Sequence, residues 1–432
     1  MGAADAKPVE LSPWAAAPRG SVRLPGSKSI TNRALVLAAI SPAPVTLLDP
    51  LDADDTRRLA ACLRTMGAQV SPLMGTDLLV DGRGLAGSAA EAAVHCGDGG
   101  TPARFAMALS LLRRGSTRID GSDALRRRPM ADGATLLQAM GASCRWLEAP
   151  ERLPLLVQPA APSALARELA VGRTASSQFI SALLLVAPAL LHGVLLRLSE
   201  PPTSASYVAL TIEWLRRFGA TVEETAGAIR VACGMRAPAR VQVPPDASSA
   251  IFWAALAAMR PGSDLLLEGV EADGQPDVGA IQALRAMGAA VDWTPAGCRV
   301  RGAPLRGVEL DASSWPDGAV MVAVAAAVAS GATTLRGLGT LRVKESDRIA
   351  ALAAELERVG IRTAAGGDWL RVEPAPLAPG ARIRTWNDHR IAMAFGVLGA
   401  TGTPLLVEDP GCVAKSDPGF WERLERLRTA SV

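Results

Sequence analysis

The sequence predicts an α/β (α+β) protein of two similar domains, and three observations carry that reading. The chain has 432 residues, more than one ordinary core holds, so two or three domains are expected. Apolar residues make up 49 % of it, enough to bury a sizeable core, which excludes disorder as the main state. A unit of strands and helices also recurs along the chain, six times.

The recurrence shows in two kinds of segment. The first is a Gly or Pro, a short β-rich run and an acidic or Gly-rich turn. It stands at Pro44-VTLLDP, Gly115-STRIDG, Gly193-VLLRLSE, Gly262-SDLLLEG, Gly331-ATTLRG and Gly402-TPLLVED, with 69 to 78 residues between successive copies. The second is a helix that ends in glycine and gives way to a strand, at Gly67, Gly141, Gly219, Gly288 and Gly360. The apolar spacing before each of these glycines is helical, and glycine suits the left-handed position just past a helix. The alternating run that follows is a strand. Each repeat therefore reads strand, helix, strands, helix, strand. That is longer than the roughly 20–50-residue units of solenoids, so the six group three and three into two domains.

Composition narrows the partners. Aromatic residues are only 4 %, which argues against base-stacking nucleic-acid platforms. The net charge is +3, and Arg126-Arg127-Arg128 is the longest basic run, so no polyanion-binding tail is expected and any anionic partner should be small. The cysteines Cys62, Cys96, Cys144, Cys233, Cys298 and Cys412 form no CxxC pair; with three histidines no metal site is expected. Such scattered thiols fit a reducing cytosol. Met1 to Trp14 has no apolar core of a leader, and Gly2 is followed by Ala6 where myristoylation wants Ser or Thr. The most apolar stretch, Ala182 to Leu196, is interrupted by Pro188 and His192 and is too short to span a bilayer. A cytoplasmic location without membrane or nucleic-acid partner is the expectation.

The functional signal is where the cations sit. A helix N-terminus is already positive, so Lys and Arg there are unfavourable unless an anion binds to the free N–H groups and basic side chains together. Four segments have this form. In LPGSKSITNRAL, Ser27 is a candidate N-cap, Lys28 lies in the first turn, and Ser29 and Arg33 share a face. In GDGGTPARF, Thr101 can cap, Pro102 suits the first helical position, Gly99 and Gly100 allow close approach of a ligand, and Arg104 follows in the first turn. In RVKESDR, Lys344, Glu345 and Arg348 crowd a helix start, where Glu345 and Arg348 read equally as an exposed i,i+3 pair of little worth. In NDHRIAMAF, Asn387 or Asp388 caps, and His389 and Arg390 fall in the first turn. Arg128 and Lys415 add two further cations. Together they imply a pocket for more than one anionic group, built by both halves of the chain.

At these residues the sequence resembles the enolpyruvyl-transferase family, over roughly Leu24 to Leu427, and within it the branch that acts on shikimate 3-phosphate. The motifs are the four just quoted with ASSQFISALLL from Ala175 and DASSA from Asp246. The resemblance implies two domains, each of three βαββαβ-type units around internal helices, with hinges near 24–25 and 243–245. One domain is then 26–243, and the other joins 1–25 to 244–432.

It also implies an enzyme that moves the enolpyruvyl group of phosphoenolpyruvate to the 5-hydroxyl of shikimate 3-phosphate, without cofactor or metal. Asp317, Glu345 and Lys28 match the catalytic groups. Lys28, Ser29, Arg33, Ser176, Ser177, Ser204, Tyr207, Asp317, Thr340 and Lys344 match shikimate 3-phosphate contacts. Lys28, Gly100, Arg128, Gln178, Arg348, Arg390 and Lys415 match the phosphoenolpyruvate pocket. The family's inhibitor glyphosate occupies that pocket, and a monomer is expected.

Three positions depart from the family pattern. Asp98 stands for Asn, Phe105 for Pro, and Thr340 for an Asn that contacts the sugar ring. They bear on fine substrate geometry. The sister enzymes that use a UDP-amino sugar carry Asn after the first lysine and a reactive Cys in the loop near Arg128. Here Ser29 follows Lys28, and 116–130 has no Cys. A non-catalytic phosphosugar-binding protein of the same fold would not need Asp317, Glu345, Lys28 and the arginines together.

Overall fold

The computed structural model describes residues 7–72, 76–87 and 89–431; Gly2 and Ala6, read above for myristoylation, lie outside them. The chain divides into two compact units, Gly26–Val243 and Met1–Pro25 with Pro244–Val432, each with its own hydrophobic core.

Unit Gly26–Val243 holds three four-stranded sheets of one topology. In the middle repeat, Ala92–His95 pairs parallel with Thr117–Asp120, which pairs antiparallel with Leu155–Gln158, which pairs antiparallel with Ser143–Trp146. Glu168–Val171, Val194–Leu198, Ala228–Val231 and Val222–Thr225 repeat this order. In the first repeat the leading strand comes from far along the chain: Arg240–Gln242 pairs parallel with Val45–Leu48. The other unit shows the mirror arrangement, because Arg19–Arg23 pairs parallel with Asp264–Glu268. Its second sheet is Glu309–Asp311, Thr333–Arg336, Leu370–Glu373 and Arg362–Ala365. Its last repeat lacks the terminal hairpin, and the strand Val9–Leu11 pairs antiparallel with Leu405–Val407 in its place.

Each repeat has one inner and one outer helix. The inner ones in the unit Gly26–Val243 are Lys28–Ala39, Gly100–Leu109 and Ser177–Val186; in the other they are Ala247–Ala258, Pro316–Ala325 and His389–Thr401. Beyond their polar N-terminal turns their sequences are apolar on every side, the pattern of a helix surrounded by protein, and Ala247–Ala258 is buried at every residue. Their many alanines let backbones approach closely. Outer helices such as Asp54–Met66 and Arg348–Arg358 keep one polar face. The glycines that close five of these outer helices, Gly67, Gly141, Gly219, Gly288 and Gly360, have φ between 75° and 121°, the conformation that excludes a Cβ at low cost. Among the described residues no helix is long and apolar enough to cross a membrane.

Candidate active site

The candidate residues fall into two clusters, one in each unit, both around the N-terminal ends of inner helices, with Tyr207, Lys344, Glu345 and Arg348 supplied from the starts of outer ones. In the unit Gly26–Val243 these ends begin at Lys28, Gly100 and Ser177. They contribute unsatisfied N–H groups and positive dipole ends in addition to side chains.

Lys28 is the first residue of its helix, and its Nζ lies 3.5 Å from Oδ2 of Asp55. Asp55 is the second residue of the neighbouring outer helix, a partner that sequence reading missed because its run of acids reads as an ordinary helix start. Arg33 is 2 % exposed and its donors are engaged inside the unit. Nε donates to the Thr211 hydroxyl at 2.8 Å, Nη1 to the Ser29 carbonyl at 2.8 Å and Nη2 to the Tyr207 carbonyl at 3.1 Å. Burial lowers its pKa to about 10, against the opposing influence of Tyr207. Arg33 thereby braces the start of the Lys28 helix against Ala205–Arg217, the helix that carries Tyr207 and is preceded by Ser204 in left-handed backbone, φ 49°.

The Gly-rich turn begins its helix two residues earlier than expected. Gly99 is the N-cap and Gly100 the first helical residue; the Thr101 hydroxyl accepts from Nε2 of Gln178 at 3.0 Å instead of capping. Arg104 is therefore in the second turn. It is buried, donates to Oε1 of Gln178 at 2.7 Å and stacks 5.0 Å over the ring of Phe179. A Cβ placed on Gly100 would lie 2.6 Å from Nη1 of Arg128 and 2.9 Å from Nη1 of Arg104. Two guanidinium groups thus crowd one helix start, and only a glycine leaves them room. Ser176 caps the third helix, its hydroxyl accepting from the Gln178 N–H at 3.3 Å, and Ser177 follows it, buried. Of the departing residues, Phe105 is buried in the core at 1 % exposure, and Asp98 accepts a hydrogen bond from the hydroxyl of Ser122.

The second cluster is a network of charges. Asp317, in the first turn of Pro316–Ala325, receives Nη1 of Arg348 at 2.8 Å, Nζ of Lys344 at 3.3 Å and Nη2 of Arg390 at 3.1 Å. Glu345 receives Nη2 of Arg348 and Nζ of Lys415, each at 2.9 Å. Arg348 is buried at 1 % exposure, so the pair with Glu345 is not the exposed i,i+3 contact that spacing alone allowed. Asp388 is the cap of the helix His389–Thr401. Its carboxylate accepts Nε of Arg348 at 2.7 Å, the Arg390 N–H at 3.0 Å and the Ser346 hydroxyl at 3.0 Å. Burial alone would lower the pKa of Arg348, but Asp388, Glu345 and Asp317 outweigh it and hold the guanidinium charged. Lys344 is pushed the other way, below the ordinary lysine range, chiefly by burial and against the pull of Asp317.

Asp277, which sequence reading missed, is buried behind Asp317. It accepts the Gly318 N–H at 3.0 Å and the Ser248 hydroxyl; burial and then the charge of Asp317 raise its pKa. Arg390 also donates to the Ser248 carbonyl at 3.2 Å. The hydroxyl oxygen of Thr340 is buried and has no hydrogen-bond partner among the described residues. His389 is fully buried, with Nδ1 3.8 Å from Asp388. Chemically, this cluster offers two carboxylates able to move protons and several donors able to hold a carboxylate and a phosphate.

A profile of the family described as EPSP synthase (3-phosphoshikimate 1-carboxyvinyltransferase) matches residues 15–424. The 3-phosphoshikimate 1-carboxyvinyltransferase of Paraburkholderia phymatum is 38 % identical over 97 % of the chain and 99 % of the relative. That of Thiobacillus denitrificans is 37 % identical over 94 % of the chain and 96 % of its own length. Among solved structures, EPSP synthase from Acinetobacter baumannii superposes with a TM-score of 0.81 at 27 % identity, covering 98 % of both chains. The enolpyruvyl transferase NikO from Streptomyces tendae shares the fold, with a TM-score of 0.72 at 22 % identity over 98 % of this chain and 97 % of its own.

Proposed function

The chain belongs to the EPSP synthase (3-phosphoshikimate 1-carboxyvinyltransferase) family, and from that premise we infer which of its residues perform each part of the reaction. The enzyme transfers the enolpyruvyl group of phosphoenolpyruvate to shikimate 3-phosphate, a step of the shikimate pathway.

Asp317 is the base that takes the proton of the attacking 5-hydroxyl. Glu345 and Lys28 are the candidates for delivering a proton to the methylene carbon of phosphoenolpyruvate. The oxygen–carbon bond forms as that proton arrives, giving a tetrahedral adduct. The adduct then loses a proton from the same methyl carbon and expels phosphate, which regenerates the double bond. Acid–base help of this kind contributes about 10²–10⁴-fold. Gly100, Arg128, Gln178, Arg348, Arg390 and Lys415 hold phosphoenolpyruvate and stabilise charge as it develops. Lys28, Ser29, Arg33, Ser176, Ser177, Ser204, Tyr207, Asp317, Thr340 and Lys344 hold shikimate 3-phosphate, and Arg33 also keeps two of the contributing helices in register. A monomer in a reducing cytoplasm is the expected setting.

The observation that carries this assignment is the shared guanidinium of Arg348, which bridges Asp317 and Glu345. Both carboxylates rest on cations that an anionic substrate also seeks. Binding of phosphoenolpyruvate competes for those donors and loosens the two acids where the chemistry needs them. The test is phosphate release from phosphoenolpyruvate, with shikimate 3-phosphate as acceptor against a UDP-amino sugar. Turnover with the first alone is expected; turnover with the second would reject the acceptor assignment.

A further inference from the structure

The turn that enters the helix His389–Thr401 is held in a conformation that most side chains resist. Trp386 and Asn387 have φ of 57° and 52°, in the left-handed region. Asparagine tolerates that region, but a bulky tryptophan gains nothing there. Such residues persist only where their surroundings over-determine them, and they cluster at functional sites. Packing is not what fixes Trp386, since it is 46 % exposed.

Glu355 supplies the constraint. Its side chain is 0 % exposed, and it accepts the Arg384 N–H at 3.0 Å with one oxygen and the Trp386 indole N–H at 3.0 Å with the other. Arg358 neutralises it at 3.2 Å. Glu355 is therefore bonded to the turn at two points, Arg384 and Trp386. The residue lies two helical turns beyond Arg348 on the same helix, Arg348–Arg358, hence on the same face. That one helix grips the segment 384–388 twice: Glu355 holds its start, and Arg348 holds the Asp388 carboxylate at its end.

We propose that Glu355 is a positioning residue for phosphoenolpyruvate use. By maintaining the strained turn it sets Asp388, and through Asp388 both the Arg348 guanidinium and, by its backbone N–H, the helix start that carries Arg390. The inference rests on the reading above that those two arginines receive phosphoenolpyruvate.

The test pairs Glu355→Ala with the double variant Glu355→Ala/Trp386→Gly, because glycine takes a positive φ without strain and makes the turn independent of the carboxylate. Glu355→Ala is expected to raise KM for phosphoenolpyruvate about tenfold or more, with KM for shikimate 3-phosphate changed less than about twofold. The double variant is expected to return most of the way towards the parent. A purely structural Glu355 would lower the melting temperature while the folded enzyme kept its parental KM. That result, or a double variant no better than the single one, overturns the proposal. If Glu355→Ala does not fold, Glu355→Gln retains an acceptor for only one of the two N–H groups and is expected to give an intermediate KM; a parental KM overturns the proposal equally. Arg390→Ala separates the two readings. If it leaves KM for phosphoenolpyruvate unchanged, the site assignment itself falls; if it raises KM and Glu355→Ala does not, only the positioning role falls.

Discussion

Nη2 of Arg390 lies 3.1 Å from Oδ2 of Asp317, so the candidate base and a candidate phosphoenolpyruvate ligand hold one another. Removing either member changes the charge left on the other. Substitutions on the two sides should therefore affect binding and turnover in opposite proportion.

Asp317→Asn keeps the size of the side chain but cannot take a proton. Turnover is expected to fall by about 10²–10⁴-fold. Phosphoenolpyruvate binding should hold or tighten, because Arg348, Arg390 and Lys344 lose a competing carboxylate. Steady-state kinetics with calorimetry of each substrate checks this; turnover within a few-fold of the parent would remove Asp317 as the base.

Lys344 makes a prediction about pH. Its folded-state pKa is lowered from 10.5, first by burial. Its charged form therefore costs the folded state stability in full below the folded pKa; the cost shrinks as pH rises past that pKa and is gone above the ordinary value of 10.5. If the charged form binds shikimate 3-phosphate, kcat/KM for that substrate declines on the alkaline side before an ordinary lysine would titrate. Lys344→Arg should move the decline to higher pH. A superimposable pair of profiles would show that another group sets the limb.

A methyl group at Gly100 would meet the tip of Arg128 at 2.6 Å. That tip can swing aside, so Gly100→Ala should fold and melt near the parent temperature, since alanine suits a helix start. The displaced guanidinium leaves the anion site. KM for phosphoenolpyruvate should rise, inhibition by glyphosate should weaken, and shikimate 3-phosphate binding should stay as it was. Parental KM with weakened inhibition would mean that the methyl excludes the inhibitor without moving Arg128.

Asp98 adds a carboxylate beside the same turn, and its bond to Ser122 ties the turn to the short helix Asp123–Arg126 that precedes Arg128. We expect this enzyme to tolerate glyphosate better than relatives with Asn here, and Asp98→Asn to tighten inhibition while keeping the Ser122 contact. Phe105→Pro is the less clean partner experiment. It removes a helix N–H and a fully buried ring, a loss of about 3 kcal/mol or more, so its inhibition constant should be read beside its melting curve. An unchanged inhibition constant in Asp98→Asn would leave Asp98 with the Ser122 bond as its only role.

What was legible in the sequence had local causes. A left-handed glycine after a helix and an apolar run every repeat depend on neighbours in the chain, and they exposed five repeat boundaries. Cations at helix starts likewise marked both clusters. The partners of those cations were not legible. Arg348 meets Asp388 across 40 residues, Arg390 meets Asp317 across 73, and Lys28 meets Asp55 on a separate helix. The spacing of Glu345 and Arg348 is the same whether the pair is in water or in a core, so their burial had to be seen. The start of the Gly-rich helix was misplaced by two residues because Thr-Pro is a strong local signal, and here Gln178 takes the threonine hydroxyl.

The sheet that joins Val9–Leu11 to Leu405–Val407 has a consequence for the nascent chain. Every strand of the unit Gly26–Val243 has left the ribosome once Gln242 has emerged. The first strand of the protein must instead wait about 400 residues for its partner, roughly 20–80 s at about 5–20 residues per second. During that interval its backbone donors and acceptors have no ladder, and the inserted unit can finish folding while the enclosing one is still being made.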